Sequence, residues 1–211
     1  MSLHDNESYW IKRHEELQGS LASVGKIGTP EVENRQRYAR KKRRVVDLLR
    51  KLDGVDLKGM TALDAGCGIG MISELLFALG ATVSGVDASP IAAAEAGDRA
   101  SPPPFDGNNF KTGSLLDFRF PGLFDLVFCL DVLYHVVDDD NWRKAVLNLA
   151  SHVAPGGYLV IIDQVKEQQE RPADHVCFRT KAMYDTLVKA ASGAECTPDG
   201  ASEFLVYRLP Q

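Results

Sequence analysis

The chain has 211 residues, of which 45% are hydrophobic and 25% are charged, and its formal net charge is −5. These values fit one globular domain with a full core and a modest extension, and they exclude a disordered chain or a general polyanion binder. Because no apolar run reaches roughly 20 residues and no C-x-x-C pair occurs, we expect a cytoplasmic protein without a membrane span, secretory signal, disulfide framework or metal site.

The first 55 residues differ from the rest of the chain because they predict helices only. Helices are expected over residues 5–18 and 31–52, with a glycine-bearing loop between them, and nothing in this region alternates like a strand. We therefore expect residues 1–55 to form an N-terminal helical cap (the N-terminal cap) on a domain of residues 56–211.

The second predicted helix carries an unusual charge run, since seven of the ten residues at 35–44 are basic. Such a run suits RNA or another anionic partner, although on a helix these cations spread around much of the circumference and also fit a solvated face. A single arginine such as Arg43 can instead reach an anionic group of a bound ligand. Tyr38, Tyr9 and Trp10 are expected in the core or at the edge of such a ligand.

From residue 61 onward, short apolar segments alternate with amphipathic helices. Strands are expected at 61–65, 81–86, 108–113, 123–130 and 157–163, with β structure near Glu195 and at 203–208, and helices at 70–79, 90–100, 138–152 and 179–191. This alternation predicts an α/β fold: a Rossmann-like, doubly wound, mainly parallel sheet with helices on both faces. Prolines 102–104 predict an exposed loop, and residues 154–157 predict a turn before the fifth strand.

A glycine-rich turn follows the first predicted strand. Its key positions are Asp64, Gly66, Cys67, Gly68 and Gly70. Glycine permits the dihedrals of a tight turn and removes β-carbons that would collide with a ligand. The dinucleotide fingerprint G-x-G-x-x-G requires a third glycine where Met71 stands, so an NAD site is disfavoured. We expect Asp64 to bind a ligand rather than only to cap the turn, and Cys67 to be a small packing residue in the loop.

Two further strand ends carry candidate ligand contacts. Asp87 closes the second strand, and its carboxylate can accept hydrogen bonds from both hydroxyls of a ribose. Its alternative role, as N-cap of the helix beginning at Pro90, fits Ser89 better. After the third strand, residues 113–117 can flank an adenine and offer Asp117 or backbone groups to its amino edge, or they form an ordinary turn.

Five motifs in this order and spacing carry a family resemblance. They are Leu63–Gly70, Val86-Asp87, Ser114–Asp117, Phe124–Val136 and Pro155-Gly156-Gly157. Over residues 60 to 163 the chain resembles class I S-adenosylmethionine (SAM)-dependent methyltransferases of the small Rossmann-like kind. The resemblance implies SAM as methyl donor and S-adenosylhomocysteine (SAH) as product.

The resemblance also implies a role for particular positions. Asp64 and the backbone of the glycine loop would hold the amino-acid end of SAM, and Asp87 would hold its ribose. The remaining implied contacts are Ala88, Leu115 and Leu116 at the adenine and Cys129, Leu130 and Tyr134 under the methionine moiety. Beside these, we expect Tyr38 at the edge of the cofactor and Arg43 at its carboxylate.

His135 follows the fourth strand, where donor and acceptor should meet, and its ordinary pKa near ~6.5 suits a general base. The alternative is a histidine that braces the loop, with His175 or Asp131 as the base. Methyl transfer depends mainly on approach geometry, so a base is needed only for a hydroxyl or a protonated amine.

The acceptor is narrowed by motifs that the chain does not contain. Leu130-Asp131-Val132-Leu133 stands where nitrogen-methylating enzymes carry N/D-P-P-Y/F, and no Pro-Cys nucleophile or catechol-type metal cluster is present. We therefore predict a methyltransferase for a small molecule with an oxygen nucleophile, covered by the N-terminal cap and residues 164–180. The alternatives are an RNA or protein methyltransferase that docks through residues 35–44, and a cofactor-binding module without catalysis.

Overall fold

The computed structural model describes residues 3–100, 109–197 and 204–211. The helices in these ranges are α1 Leu3–Glu16, α2 Glu31–Leu49, α3 Met71–Ala78, α4 Pro90–Ala100, α5 Asp139–Ala150 and α6 Lys181–Ser192. The strands are β1 Thr61–Ala65, β2 Thr82–Asp87, β3 Phe110–Thr112, β4 Phe124–Leu130, β5 Val153–Ile162, β6 Glu170–Ala173, β7 Val176–Phe178, β8 Glu195–Thr197 and β9 Phe204–Arg208. The predicted proline loop at 102–104 lies outside the described residues.

Seven of these strands form one sheet in the order β3-β2-β1-β4-β5-β9-β8. The first five strands in this order, β3, β2, β1, β4 and β5, pair in parallel, and β9 and β8 add antiparallel pairs at the far edge. The order reverses between β1 and β4, which is the point where open α/β sheets place their ligands. The predicted Rossmann-like α/β fold, mainly parallel and preceded by N-terminal helices, is confirmed.

The sheet is buried on both faces because successive side chains of each strand point to opposite sides. On one face, Leu63 and Val127 pack with Trp142 of α5 and Tyr184 of α6. On the other face, alternate strand residues pack with α3 and with one side of α2. The α2 contributors to this second core are Val45, Leu48 and Leu49. The C-terminal half of α2 is therefore part of the core of the domain.

Side-chain caps explain where several helices begin. The Ser89 hydroxyl accepts the N–H of Ala92 at 3.3 Å, so Ser89 caps α4 and Asp87 is left for another role. The Asp138 carboxylate likewise accepts the N–H of Asn141 at 2.9 Å at the start of α5. These caps lie at or one residue before the helix starts expected from the sequence.

Two segments differ from the sequence expectation. β5 begins at Val153, and the expected turn before it is absorbed into the strand, where Gly156 has a φ of +76° and the pairing with β4 shifts register. The expected loop 164–180 contains the antiparallel hairpin of β6 and β7. β6 is exposed and polar, so it lacks the apolar alternation by which a strand is recognised.

Arg179 anchors the foot of the β6–β7 hairpin and is fully buried. Its guanidinium donates to the Val136 carbonyl at 3.0 Å and to the Asp139 carboxylate at 2.8 Å, and it lies 4.5 Å from the ring centre of Trp142. These contacts lower the pKa of Asp139. The hairpin is thereby joined to the segment that follows β4.

Candidate active site

A cavity of about 760 Å³ opens at the carboxyl ends of β1, β2 and β4. Its floor is formed by the strand ends and following loops at residues 64–69, 87–88 and 113–116. Its roof is formed by residues of the N-terminal cap, mainly from α1 and α2. The cavity therefore lies where the strand order reverses, between a sheet-based floor and a helical roof.

The glycine loop packs closely against the segment after β4 because Gly66 has no side chain. Gly66 has a φ of +76°, and a β-carbon there would come within 2.5 Å of Val132 Cγ2. The amides of Gly66 and Cys67 both donate to the Val86 carbonyl, at 2.8 and 3.1 Å. These bonds tie the loop to the end of β2, so that its backbone faces the cavity.

Asp87 at the end of β2 is held by two backbone donors. One carboxylate oxygen accepts the N–H of Gly68 at 2.9 Å, and the other accepts the N–H of Ser89 at 2.9 Å. Burial raises the pKa of this carboxyl against the effect of those bonds. Each carboxylate oxygen accepts more than one hydrogen bond, so the orientation fixed by the amides leaves lone pairs for a ligand diol.

Asp64 at the end of β1 is the other carboxylate of the floor, and it is buried, with 3% of its surface exposed. It accepts a hydrogen bond from the Ser73 hydroxyl at 2.6 Å. Burial raises its pKa to about 6, and the charge of nearby Lys41 opposes that rise. At neutral pH Asp64 is therefore a desolvated anion that would be stabilised by a cationic group in the cavity.

The α2 side of the roof closes over Asp64. The Tyr38 hydroxyl donates to the Val24 carbonyl at 3.2 Å, and the Lys41 ammonium lies 4.9 Å from the Tyr38 ring centre. Lys41 also donates to the carboxylate of Asp131, a residue with a φ of +58° just after β4. These contacts place a cation and a phenol ring over the same end of the cavity.

His135 lies in an aromatic cluster where α1, the segment after β4 and the hairpin meet. Its ring centre is 4.9 Å from that of Trp10 and 6.1 Å from that of His175, and His175 stacks at 6.0 Å on Tyr9. Asn6 of α1 donates to the His135 carbonyl. The cluster therefore joins three separate parts of the chain around one imidazole.

The tautomer of His135 follows from its hydrogen bond. Nδ1 lies 3.1 Å from the His175 carbonyl, which only accepts, so Nδ1 carries the proton and Nε2 keeps its lone pair. Burial lowers the pKa of His135 to about 4, so the ring is neutral at physiological pH. A neutral imidazole with a free lone pair can accept a proton.

The structure brings most of the residues predicted from the sequence to this cavity. Those that line it are Tyr38, Asp64, Gly66, Cys67, Gly68, Asp87, Ala88, Leu115, Leu116, Leu130, Tyr134 and His135. Asp131 and Trp10, which were alternatives in the sequence, line it as well.

Arg43 lies outside the cavity lining and is exposed, contrary to the sequence expectation. Arg37, Lys41 and Arg44 line the cavity instead, at the four- and three-residue intervals of one helix face, together with Arg40. Successive residues of a helix are rotated by about 100 degrees about its axis, so the side chain of Arg43 points away from that of Arg44. The helix expected to reach the ligand therefore lines the cavity, but Arg43 does not.

Three other residues that were expected to contact the cofactor lie outside the cavity lining. Gly70 has a φ of +79°, and a β-carbon there would lie 2.6 Å from Ala96 Cα, so Gly70 permits the close packing of α3 on α4. Cys129 is fully buried in the core beside α5, because strand alternation turns it away from the side of Leu130. Asp117 is exposed and does not line the cavity.

The sequence analysis missed the polar face of α1. Asn6, Arg13 and His14 line the cavity together with Trp10. A signal was present, since residues 6, 10 and 14 recur at four-residue spacing on one side of a predicted helix. Polar residues on an inward face are easily assigned to solvent when the partner surface is unknown.

Among the described residues, no group of three His, Cys, Asp or Glu side chains is placed to hold a metal ion. No helix in those same ranges is long and apolar enough to cross a bilayer. Cys67, Cys129 and Cys177 are buried free thiols.

A family model described as "Methyltransferase domain" matches residues 33–191. Over 105 residues the chain is 40% identical to "Ubiquinone biosynthesis O-methyltransferase, mitochondrial" of Schizosaccharomyces pombe, covering 49% of this chain and 37% of that protein. It is 36% identical over 107 residues to "Ubiquinone biosynthesis O-methyltransferase" of Pseudomonas paraeruginosa, covering 50% and 44%. The matched part of the chain spans less than half the length of these curated relatives.

Solved structures share the architecture at low sequence identity. Magnesium protoporphyrin IX methyltransferase (ChlM) from Synechocystis PCC 6803 with bound SAH superposes with a TM-score of 0.66 at 23% identity, covering 97% of this chain and 96% of that one. The DhpI–SAH complex gives a TM-score of 0.63 at 21% identity, covering 98% and 96%. These likenesses establish the fold.

Proposed function

The chain belongs to the methyltransferase-domain family, and on that premise we propose that it is a SAM-dependent methyltransferase acting on an oxygen of a small molecule. The observation that carries the proposal is the pair of cavity-lining carboxylates, buried Asp64 and half-buried Asp87, on either side of the glycine loop. SAM carries an ammonium, a sulfonium and a ribose diol, so it requires anions and backbone donors in this arrangement. No phosphate-binding lysine is needed.

In this proposal, residues of the floor and of the roof contact different parts of the cofactor. Asp87 accepts the ribose hydroxyls, and Ala88, Leu115 and Leu116 flank the adenine. Asp64 faces the cationic methionine end. Lys41 takes the role that the sequence gave to Arg43, as the cation nearest the carboxylate of the cofactor, because it lies over Asp64 beside Tyr38. The cavity of about 760 Å³ falls within the ~300–1,000 Å³ of small-ligand sites.

SAM, when bound, supplies an electrophilic methyl group on a positively charged sulfur. The residues around it have to exclude water and direct an oxygen of the acceptor along the axis of the breaking bond. Leu130 and Tyr134 cover the floor next to His135. The lone pair on His135 Nε2 can take the proton that a hydroxyl acceptor gives up.

The aromatic side chains near His135 favour a planar acceptor that carries a hydroxyl group. Trp10 and His135 line the cavity and meet edge to face, and Tyr9 and His175 pack beside them outside the lining. Such side chains bind planar rings through offset and edge contacts. The two curated relatives are named as O-methyltransferases, which favours oxygen over nitrogen as the nucleophile.

The cations of α2 support a small-molecule acceptor better than a nucleic acid. Arg35 pairs with Glu31, and Lys42 pairs with Glu74. The side chain of Arg44 stacks 5.3 Å from the Phe204 ring centre at the cavity. Arg37, Arg40, Lys41 and Arg44 face the cavity, whereas Arg35 and Lys42 pair with acids outside it, so the cations do not form one continuous outer surface for a polyanion. The free thiols of Cys67, Cys129 and Cys177 fit a reducing compartment, and we propose a cytoplasmic location.

The donor is tested by calorimetry with SAH and by thermal shift with SAH and NAD as separate ligands. We expect SAH to bind and stabilise the protein, and Asp87→Ala to weaken SAH binding at least tenfold, because a buried diol contact is lost. Stabilisation by NAD without stabilisation by SAH would refute the proposal.

The transfer step is tested by incubating the protein with SAM and a panel of phenols and matched anilines, with SAH release as the readout. We expect turnover with a phenol. His135→Gln should lower kcat/KM for that phenol by about 10²-fold, the lower range of general-base contributions, while the affinity for SAH stays unchanged. Turnover of anilines alone would exclude the oxygen acceptor, and SAH binding without turnover of any compound would favour the non-catalytic alternative.

A further inference from the structure

His14 of α1 is a buried polar residue without a clear role in the fold. Only 2% of its surface is exposed, and it lines the cavity. Neither ring nitrogen has a hydrogen-bond partner in the described part of the chain. The Trp10 carbonyl, one helical turn earlier, is close enough to raise the pKa of His14, but no hydrogen bond of normal geometry joins them. One carbonyl could in any case satisfy only one of the two nitrogens.

A buried imidazole in this state is unfavourable, because each unpaired polar group loses its hydration without compensation. Burial accordingly lowers the pKa of His14 and favours the neutral ring. A neutral imidazole has one N–H donor and one acceptor nitrogen. It is therefore suited to a hydroxyl group, which also donates and accepts.

The position of His14 identifies the part of the cavity that it faces. His14 and Asp87 line the same cavity, and the charge of Asp87 raises the pKa of His14. α1 also contacts α4, which begins three residues after Asp87. His14 is thus a group of the roof on the side of the cavity where the floor carries Asp87.

We propose that His14 binds the ribose of the cofactor, with one hydroxyl donating to the Asp87 carboxylate and accepting the N–H of His14. This inference rests on the proposed use of SAM. It assigns to α1 a direct part in cofactor recognition, and it gives the buried imidazole the partner that the chain itself does not provide.

Helix α1 connects the proposed ribose contact of His14 with the region around His135, where the acceptor would bind. Asn6 and His14 are eight residues apart, or about 12 Å along the helix axis. Asn6 holds the His135 carbonyl, and Trp10 packs against the His135 ring. A cofactor that fixes His14 therefore also holds the helix that carries Asn6 and Trp10 against His135.

The test measures SAH affinity by calorimetry for the wild type, His14→Phe, His14→Gln and the surface control Lys12→Ala. SAH and its 2′-deoxy and 3′-deoxy analogues serve as ligands. We expect His14→Phe to weaken SAH binding about tenfold, His14→Gln to restore much of it, and Lys12→Ala to have no effect. For the analogue that lacks the contacted hydroxyl, the loss caused by His14→Phe should shrink to less than twofold.

An equal loss for SAH and both analogues would overturn the ribose contact and leave His14 with a structural role. Unchanged SAH affinity in His14→Phe would also overturn it, while the proposed function would stand. If the wild type did not bind SAH, the proposed function itself would fail. Thermal unfolding without ligand checks that each variant is folded.

Hydrogen exchange provides a second readout that does not depend on the acceptor. SAH should protect the amides of α1 in the wild type and in Lys12→Ala, and it should protect them less in His14→Phe. Equal protection in all three proteins would contradict the closure of α1 through His14.

Discussion

The floor and the roof of the cavity achieve their geometry in different ways. In the floor, Asp64 and Asp87 stand on strand ends, and each is held by hydrogen bonds from the fold itself. In the roof, Tyr38, Lys41 and His14 project from helices and have few partners or none. The floor is therefore organised before a ligand arrives, whereas the roof needs the ligand to satisfy part of its polar surface.

The largest expected effect is the loss of stability when the glycine loop of the floor loses the backbone conformation and close packing that Gly70 permits. Gly70→Ala should destabilise the protein by about 3 kcal/mol or more, because its β-carbon would meet the backbone of Ala96 in addition to the left-handed strain. Gly59→Ala is the matched control, with a φ of +80° and no atom within 4 Å of a β-carbon, and should cost about 1 kcal/mol. Chemical denaturation measures both, and equal losses would contradict the packing role.

Asp64→Asn separates stability from binding in the floor. The folded pKa of about 6 lies above the ordinary value of 3.8, so ionised Asp64 opposes folding. The substitution should raise the free energy of unfolding at pH 7.5 by up to about 3 kcal/mol and weaken SAH binding. The stability gain should be complete above pH 6 and vanish near pH 4. A variant that is less stable at every pH would contradict the cost assigned to the buried charge.

Lys41→Met and Arg43→Met compare two cations of the roof. We expect Lys41→Met to weaken SAH binding about tenfold, or about 1.4 kcal/mol, because it removes the cation over Asp64. Arg43→Met should change the affinity less than twofold, since Arg43 is exposed and outside the cavity. Calorimetry decides between them, and the reverse order would restore the role that the sequence gave to Arg43.

Tyr38→Phe probes the smallest of these contacts. It removes the hydroxyl that donates to the Val24 carbonyl and keeps the ring beneath Lys41. The expected loss is about 1 kcal/mol of stability, with SAH affinity changed less than threefold. A loss of affinity above tenfold would mean that the hydroxyl, and not the ring, contacts the ligand.

The floor could be predicted from the sequence because its function lies in the backbone and in strand ends. Alternating glycines after a short apolar run indicate a tight turn, and an acid at the end of a strand has its position fixed by the sheet. Asp64 and Asp87 therefore emerge without knowledge of any tertiary contact. Ser89 as the cap of α4 follows from the same local rules.

The roof and the hairpin could not be predicted in this detail, for physical reasons. Arg43 and Lys41 are two residues apart, which on a helix turns their side chains about 200 degrees from each other, and only the tertiary packing shows which of them lines the cavity. His14 is polar and lies on a short helix, so only its tertiary surroundings show that it is buried. The exposed strand β6 is stabilised by its pairing with β7 and leaves no apolar pattern.

The buried guanidinium of Arg179 fixes the foot of the β6–β7 hairpin, whereas the strand β6 itself is exposed. The contacts of Arg179 with Val136, Asp139 and Trp142 hold the foot of the hairpin, whereas the residues of β6 are exposed and touch little of the core. The tip of the hairpin is tied to the site as well, because the His175 carbonyl accepts the Nδ1 proton of His135. The exposed positions of β6 are therefore the part of the hairpin that can change with the least disturbance of His135, and on the proposed function such changes offer a route to new acceptors over evolutionary time.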